Sequence, residues 1–469
     1  MKTLAIVYGK YETHLQRKAV EALSCILQEQ TVEFPACFSE DTSFDKDKFL
    51  CIHIGTKATN SYIAQKSDKI LTAPEEYAVS VDSNEIIIEG YDDLGVLYGC
   101  MDFYNCYIAP RIAIDSNGFK RCDLFSDEIK LPEFSMQSAP KIKERGIWTW
   151  GHVIYDYKGF IENMAKLKMN TLIMWNDFVP LNIDEVVDYA HMWGVKVILG
   201  YPWLWDNTDF TEINFSALEK ESDRIVKEYE ENYKNLNIDG IYFQSFTELS
   251  EEKIGDVLVA EAVCDFVNKT AAKIFEISPD LRLQFGLHAT SVDKKLEYIA
   301  NVDKRIEIIW EDCGAMPFHY DADNLENFDE TLEFTKKITK LRGEDEKFGA
   351  VTKSFVKLDW FSFIHQKGRF VLGVSSPSMH ENRIARKRAM WRTVQASWLK
   401  NAEKARETIS LIRNQTSGNT CITALIEDGM FEKQIFHSVA LMSEILWNPD
   451  LDTDTLSEQI ALRSYIDFA

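Results

Sequence analysis

Residues 239–248 read Asp239-Gly-Ile-Tyr-Phe-Gln-Ser-Phe-Thr-Glu248. The run has the length and apolar character of a buried strand, and it ends on a carboxylate. Ile241, Phe243 and Ser245 fall on one face, and Tyr242, Gln244, Phe246 and Glu248 on the other. In a barrel of parallel strands the outer face packs on helices, while the inner face tolerates polar groups near its top. That parity points Gln244 and Glu248 inward, with Glu248 at the C-terminal rim where such barrels place their active sites. The competing reading makes Glu248 a cap for a helix starting in Leu-Ser-Glu-Glu.

The flanking sequence repeats the same unit. From about Lys141 the chain alternates strand and helix signals. The strand-like runs are 144–151, 170–177, 195–203, the opening stretch, 281–288, 306–314, 348–353 and 421–428. Phe370–Val374 competes for one of the last two places. Helical patterns separate the runs, among them 217–233, 257–275 and 383–412. Eight strand–helix units predict a (β/α)8 TIM-like barrel over residues 136–469. Residues 1–135 predict a small α/β domain. It holds strands at 4–8 and 49–54, a helix at 12–29, and a hairpin around Asp82-Ser-Asn. A helix follows with Gly95 and Gly99 on one face, where backbones can approach closely.

Composition narrows the function. The 469 residues carry a net charge of -23, which disfavours nucleic acid and anionic membrane as partners, since both reward Lys and Arg. Nine Cys without a Cys-x-x-Cys pair form neither a zinc ribbon nor a disulfide framework, and reduced thiols fit a cytoplasmic protein. The N-terminal apolar run is too short for a signal peptide, and no stretch reaches membrane-spanning length. His152, His288 and His319 lack metal-ligand spacing, and no cofactor is expected.

The strand ends gather one kind of chemistry. Strand one ends with Trp148, Trp150 and His152, and strand two with Trp175, Asn176 and Asp177. Strand three leads into Trp203, Trp205 and Asp206. Strand four gives Glu248, strand five His288, and strand six Trp310, Glu311 and Asp312. Lys353, Asp359 and Trp360 follow strand seven, and Glu427 and Asp428 end strand eight. The chain has 11 Trp, and most of them fall at these ends. Flat apolar rings suit sugar faces, while carboxylates and amides suit hydroxyls. Taken singly, each Trp is more often core than platform. Glycoside hydrolysis needs two carboxyl groups about one bond, one of them protonated. Glu248 is the candidate acid, with Glu311 or Asp312 as its counterpart. Arg145, Trp148, Trp150, Asn176, Asp177, Trp203, His288, Trp310, Lys353, Trp360 and Glu427 are the candidate substrate contacts. A carbohydrate is the expected partner.

Several stretches resemble known glycoside hydrolases. The hairpin and Gly-x-x-x-Gly helix of Tyr77–Phe103 resemble the small domain preceding the barrel in family 20 hexosaminidases and family 67 α-glucuronidases. Arg145-Gly146, Lys168-Met-Asn-Thr-Leu and Trp193-Gly-Val-Lys-Val-Ile resemble strands one to three of family 20, where the Arg binds sugar. That family ends strand four in Asp-Glu, the Asp orienting a substrate acetamide; here the pair is Thr247-Glu248. Asp239-Gly240 followed by Thr247-Glu248 is similar to family 67, whose Glu is the acid of an inverting mechanism. The resemblance implies a glycosidase with Glu248 as general acid. Two alternatives stay open: an acetamide-assisted β-N-acetylhexosaminidase in which Asp177 or Asp312 replaces the missing Asp, and a degenerate carbohydrate-binding barrel. A Schiff-base aldolase using Lys353 ranks last, because no phosphate-binding glycine loop follows strand seven. Cys313 lacks a base nearby in sequence.

Overall fold

The computed structural model describes residues 3–31, 33–82, 85–114, 116–118, 120–122, 124, 130–204, 214–246, 249, 251–288, 292, 294–311, 328–343, 347–352, 355, 368–374, 376–431 and 435–460.

The N-terminal part is built on one mixed sheet. Its strands are β1 (Thr3–Tyr8), β2 (Ala36–Ser39), β3 (Phe49–Gly55), β4 (Tyr77–Val81), β5 (Glu85–Gly90) and β6 (Phe134–Ser138), in the order β2-β1-β3-β5-β4-β6. β1, β2, β3 and β5 run parallel, and β4 pairs antiparallel with β5 and β6. Helices His14–Thr31 and Asp93–Asp102 pack against each other and bury apolar residues with the sheet. A side chain at Gly95 would meet the Glu76 carbonyl at 2.3 Å, so the close approach read from the Gly-x-x-x-Gly spacing is real.

The second part is a closed barrel of eight parallel strands. They are β7 (Glu144–Trp150), β8 (Thr171–Trp175), β9 (Lys196–Gly200), β10 (Gly240–Phe243), β11 (Leu283–His288), β12 (Ile306–Glu311), β13 (Phe348–Thr352) and β14 (Thr420–Leu425). They close in sequence order, β14 pairing with β7. Phe370–Val374 is not one of them; Val374 makes only an isolated antiparallel bridge to Asp156. The helical pattern over 383–412 resolves into Pro377–Lys400 and Ala402–Thr416, which meet at Asn401.

The N-terminal end of the barrel is plugged by charge. Arg282 binds both oxygens of Glu307, at 2.8 and 2.7 Å, and also reaches Glu144. Lys196 lies 2.7 Å from Glu144, and Lys347 lies 2.8 Å from Glu307. Burial raises the Glu144 pKa, but Arg282 and Lys196 outweigh it and bring the carboxyl down to about 2. Desolvation makes such a network costly to leave half-paired, so the five groups hold as a unit.

A second buried network joins the barrel to the N-terminal sheet. Arg145 is fully buried and paired with Glu75, while its other nitrogens donate to the carbonyls of Ile142 (2.7 Å) and Lys168 (3.0 Å). Asn170 donates to Glu75 at 2.8 Å. The Lys168 ammonium lies 3.0 Å from Asp102 and 2.9 Å from Glu444, and both cations face the Trp447 ring.

Candidate active site at the barrel mouth

Alternation along the strands decides which side chains reach the barrel interior. Trp148, Trp150, Ile173, Trp175, Ile198, Tyr242, Ile309, Val351 and Leu425 form its apolar filling. Toward the C-terminal end this filling is aromatic. Trp148 packs edge-on against Trp150 at 5.2 Å and Tyr242 at 6.0 Å, and Trp175 meets Tyr242 at 5.9 Å.

Glu311, the last residue of β12, sits among these rings and is fully buried. One of its oxygens, Oε1, accepts hydrogen bonds from the Tyr242 hydroxyl and the Gln244 side-chain amide. The donors come from strand four and the acceptor from strand six, so the contact crosses β11. It is open because β11 has a glycine at the crossing. A side chain at Gly286 would lie 2.0 Å from the Tyr242 oxygen and 2.6 Å from Glu311 Oε1. Burial raises the Tyr242 pKa well above its ordinary value, and the Glu311 charge adds to the shift. The phenol therefore keeps its proton and acts as a donor.

Two bulky residues with left-handed backbone stand where strands three and four leave the barrel. Leu204 has φ +64° and Phe246 has φ +51°, and the Phe246 amide donates to the Leu204 carbonyl at 3.1 Å. Such conformations cost of order 1–3 kcal/mol each, and they cluster at functional sites. The turn at Phe246 breaks the strand-four alternation. Its ring packs on Phe266 of the outer helix Val259–Ile277 rather than on the inner face with Tyr242 and Gln244. The next described helix after Glu248 starts only at Val259, which removes the helix-capping reading of Leu-Ser-Glu-Glu.

The other expected site residues divide three ways. Trp148 and Trp150 face the barrel interior, buried in its apolar filling. Asn176 is at the mouth, where its side-chain oxygen accepts the Gly151 amide at 3.2 Å and ties the end of strand two to the turn after strand one. Asp177 is half-buried beside it. Glu427 is buried just beyond β14, held by Lys387 at 2.8 Å and Arg383 at 3.2 Å from helix Pro377–Lys400. His288 ends β11 in register with Glu311.

Three expectations are corrected. Arg145 alternates with Gly146 and Trp148, so it faces outward, near the N-terminal end of β7, and is committed to Glu75. Trp310 precedes an inward Glu311 and therefore faces out, edge-on to Phe334 of helix Phe328–Thr339. Trp203 stacks on Phe243 at 3.7 Å, on the outer side of strand four. Of these candidate contacts, Trp148 faces the barrel interior while Arg145, Trp203 and Trp310 face outward, so the four do not line one cleft. Glu248, Asp312, Lys353 and Trp360 lie outside the described residues, as do Thr247, Cys313 and His319, and so does the His288 side chain.

Tyr242 and Gly286 were not read as functional from the sequence. Their signals were present: Tyr242 shares the inward parity of Gln244, and Gly286 interrupts an apolar strand, a mark of close approach. Among the described residues, no group of three His, Cys, Asp or Glu side chains is placed to hold a metal ion, and no helix is long and apolar enough to cross a membrane.

No protein-family model and no curated protein sequence matches the chain. Solved structures do match. CpGH84B superposes with a TM-score of 0.57 at 12% identity, covering 98% of this chain and 70% of that one. A GH138 enzyme that targets pectin rhamnogalacturonan II gives 0.54 at 12% identity, covering 96% and 64%. The 4-O-methyl-α-glucuronidase BtGH115A, specific for decorated arabinogalactans, gives 0.50 at 13%, covering 96% and 57%. The chain thus spans less than two thirds of the length of the last two. At these identities the likeness shows the fold: a (β/α)8 barrel of the kind found in glycoside hydrolases. The narrower grouping with families 20 and 67 is not among these matches.

Proposed function

We infer that the protein is a glycoside hydrolase that cleaves a terminal sugar from a small oligosaccharide or glycoside at the C-terminal mouth of its barrel. The observation that carries this reading is Glu311. It is a carboxyl group on the inner face of strand six, packed among aromatic side chains and accepting two hydrogen bonds from strand four. The opposite end of the barrel is closed by the Arg282 network, so a substrate enters from the C-terminal side. Glu248, four residues beyond Gln244 in sequence, is the general acid, the role the resemblance to families 20 and 67 gives it. Strand six supplies the second carboxyl group, with Glu311 placed inward and Asp312 next to it in sequence. Trp148, Trp150 and Trp175 give the sugar its apolar walls. The fold shared with glycoside hydrolases supports the class.

The test is a panel of aryl glycosides and small oligosaccharides that includes uronic acids and N-acetylated hexosamines. Hydrolysis of at least one by the wild-type chain is expected. Loss of turnover in Glu248→Gln should be of order 10²–10⁴-fold for poor leaving groups and smaller for activated ones. No turnover across the panel, together with retained sugar binding, would replace this reading with the carbohydrate-binding barrel. A strict demand for a 2-acetamido group, with inhibition by a thio-oxazoline mimic, would replace it with the acetamide-assisted route.

A further inference from the structure

We propose that Tyr242 and Gln244 are positioning residues that hold Glu311 in the reaction as a carboxylate, so that Glu311 takes the base or nucleophile role and not that of the acid. The proposal rests on the glycosidase reading and names how its strand-six group is set.

Three features carry it. First, both donors converge on one atom, Glu311 Oε1. A carboxylate gains more from such bonds than a neutral carboxyl group does, because charge-assisted hydrogen bonds are about twice as strong as neutral ones. Second, the donors are held rigidly. Tyr242 is fully buried with Trp148 and Trp175 edge-on to its ring, and Gln244 is 6% exposed. Third, the path between strands four and six is kept open by a glycine at the one position of β11 that the hydroxyl must cross. A cluster that only filled the core would not need a tyrosine oxygen there; Phe at 242 would pack the same rings.

The experiment has two arms. The first uses a glycoside that the wild-type chain hydrolyses and compares kcat/KM against pH for wild type, Tyr242→Phe and Gln244→Met. Losing one charge-assisted bond should move the acid limb up by about one pH unit. That is about tenfold lower activity at low pH, recovered at higher pH with the alkaline limb unmoved. A pH-independent loss in both variants would mean a merely structural role and would overturn the proposal. So would a shift of the alkaline limb instead, since Glu311 would then be the acid.

The second arm needs no substrate. Thermal unfolding of wild type, Tyr242→Phe, Glu311→Gln and the double variant, from pH 7 down to about pH 3, through the ordinary carboxyl range, gives the coupling between the two side chains. Coupling that weakens on acidification is expected; coupling that is absent or constant would overturn the proposal. Coupling as expected, with no glycoside hydrolysed, would locate the failure in the functional reading, and the role assigned to Glu311 would fall with it. Gln244→Met keeps both arms decisive if Tyr242→Phe does not fold.

Discussion

Replacing Gly286 by Ala tests the crossing of strand five in one atom. The new methyl would lie 2.0 Å from the Tyr242 oxygen and 2.6 Å from Glu311 Oε1. Ordinary carbon contacts need about 3.5 Å, so one partner must retreat by an ångström or more. The tyrosine has no free direction, since it is fully buried among Trp148, Trp175 and the Glu311 carboxylate. Overpacking a core by one methyl costs about 1–3 kcal/mol, and loss of a hydrogen bond to a charged group about 1.5–3 kcal/mol. The two costs overlap because moving the ring causes both, so about 3 kcal/mol of destabilisation is expected. Misplacement by about 1 Å near a reacting group also costs about 10²-fold in turnover. Urea unfolding and kcat/KM measure the two effects. Gly343→Ala is the control, because a methyl at Gly343 meets nothing within 4 Å. A Gly286→Ala protein with wild-type stability and turnover would refute the contact between strands four and six.

Other consequences follow from the buried charges. Lys168→Met should cost about 3–5 kcal/mol, since it leaves Asp102 and Glu444 buried without their shared cation; thermal unfolding checks this, and an unchanged midpoint would count against the network. His53 is 5% exposed and stacked on Tyr62 at 3.8 Å, and burial, with Lys46 second, lowers its pKa from 6.5 to about 4. The folded state thus prefers the neutral ring. Its stabilising effect is complete above pH 6.5 and is lost as pH falls toward 4, to a total of about 3 kcal/mol. His53→Phe should flatten that acid slope, and an unaltered slope would show that the proton is taken up elsewhere.

The barrel was legible because parallel strands buried on both faces read as short apolar runs, and 240–243, 283–288 and 306–311 are such runs. Phe370–Val374 shares that look, but Gly373 has φ +64° and turns the chain away from any ladder. Parity carried Gln244 inward correctly, and applied as strictly to Arg145 and Trp310 it would have turned both outward. What misled there was residue type: a Trp near a strand end suits a sugar platform or a helix contact equally well. Trp203 was beyond parity, lying past the end of β9 and next to the left-handed Leu204. The true partner of Arg145 was beyond sequence reasoning as well, because Glu75 is 70 residues away, in the turn that precedes β4 of the N-terminal sheet. Gly286 was readable as a close approach, but which two side chains met over it depended on strand order.

The decisive measurement is kcat/KM of Glu311→Gln on any glycoside the wild-type chain hydrolyses, made on protein shown to be folded by its unfolding midpoint. A carboxylate that takes part in the chemistry predicts a loss of about 10²–10⁴-fold, accompanied by loss of the acid limb of the pH profile. Wild-type turnover from the folded Glu311→Gln protein would contradict the account and reduce the Tyr242–Gln244–Glu311 cluster to barrel packing.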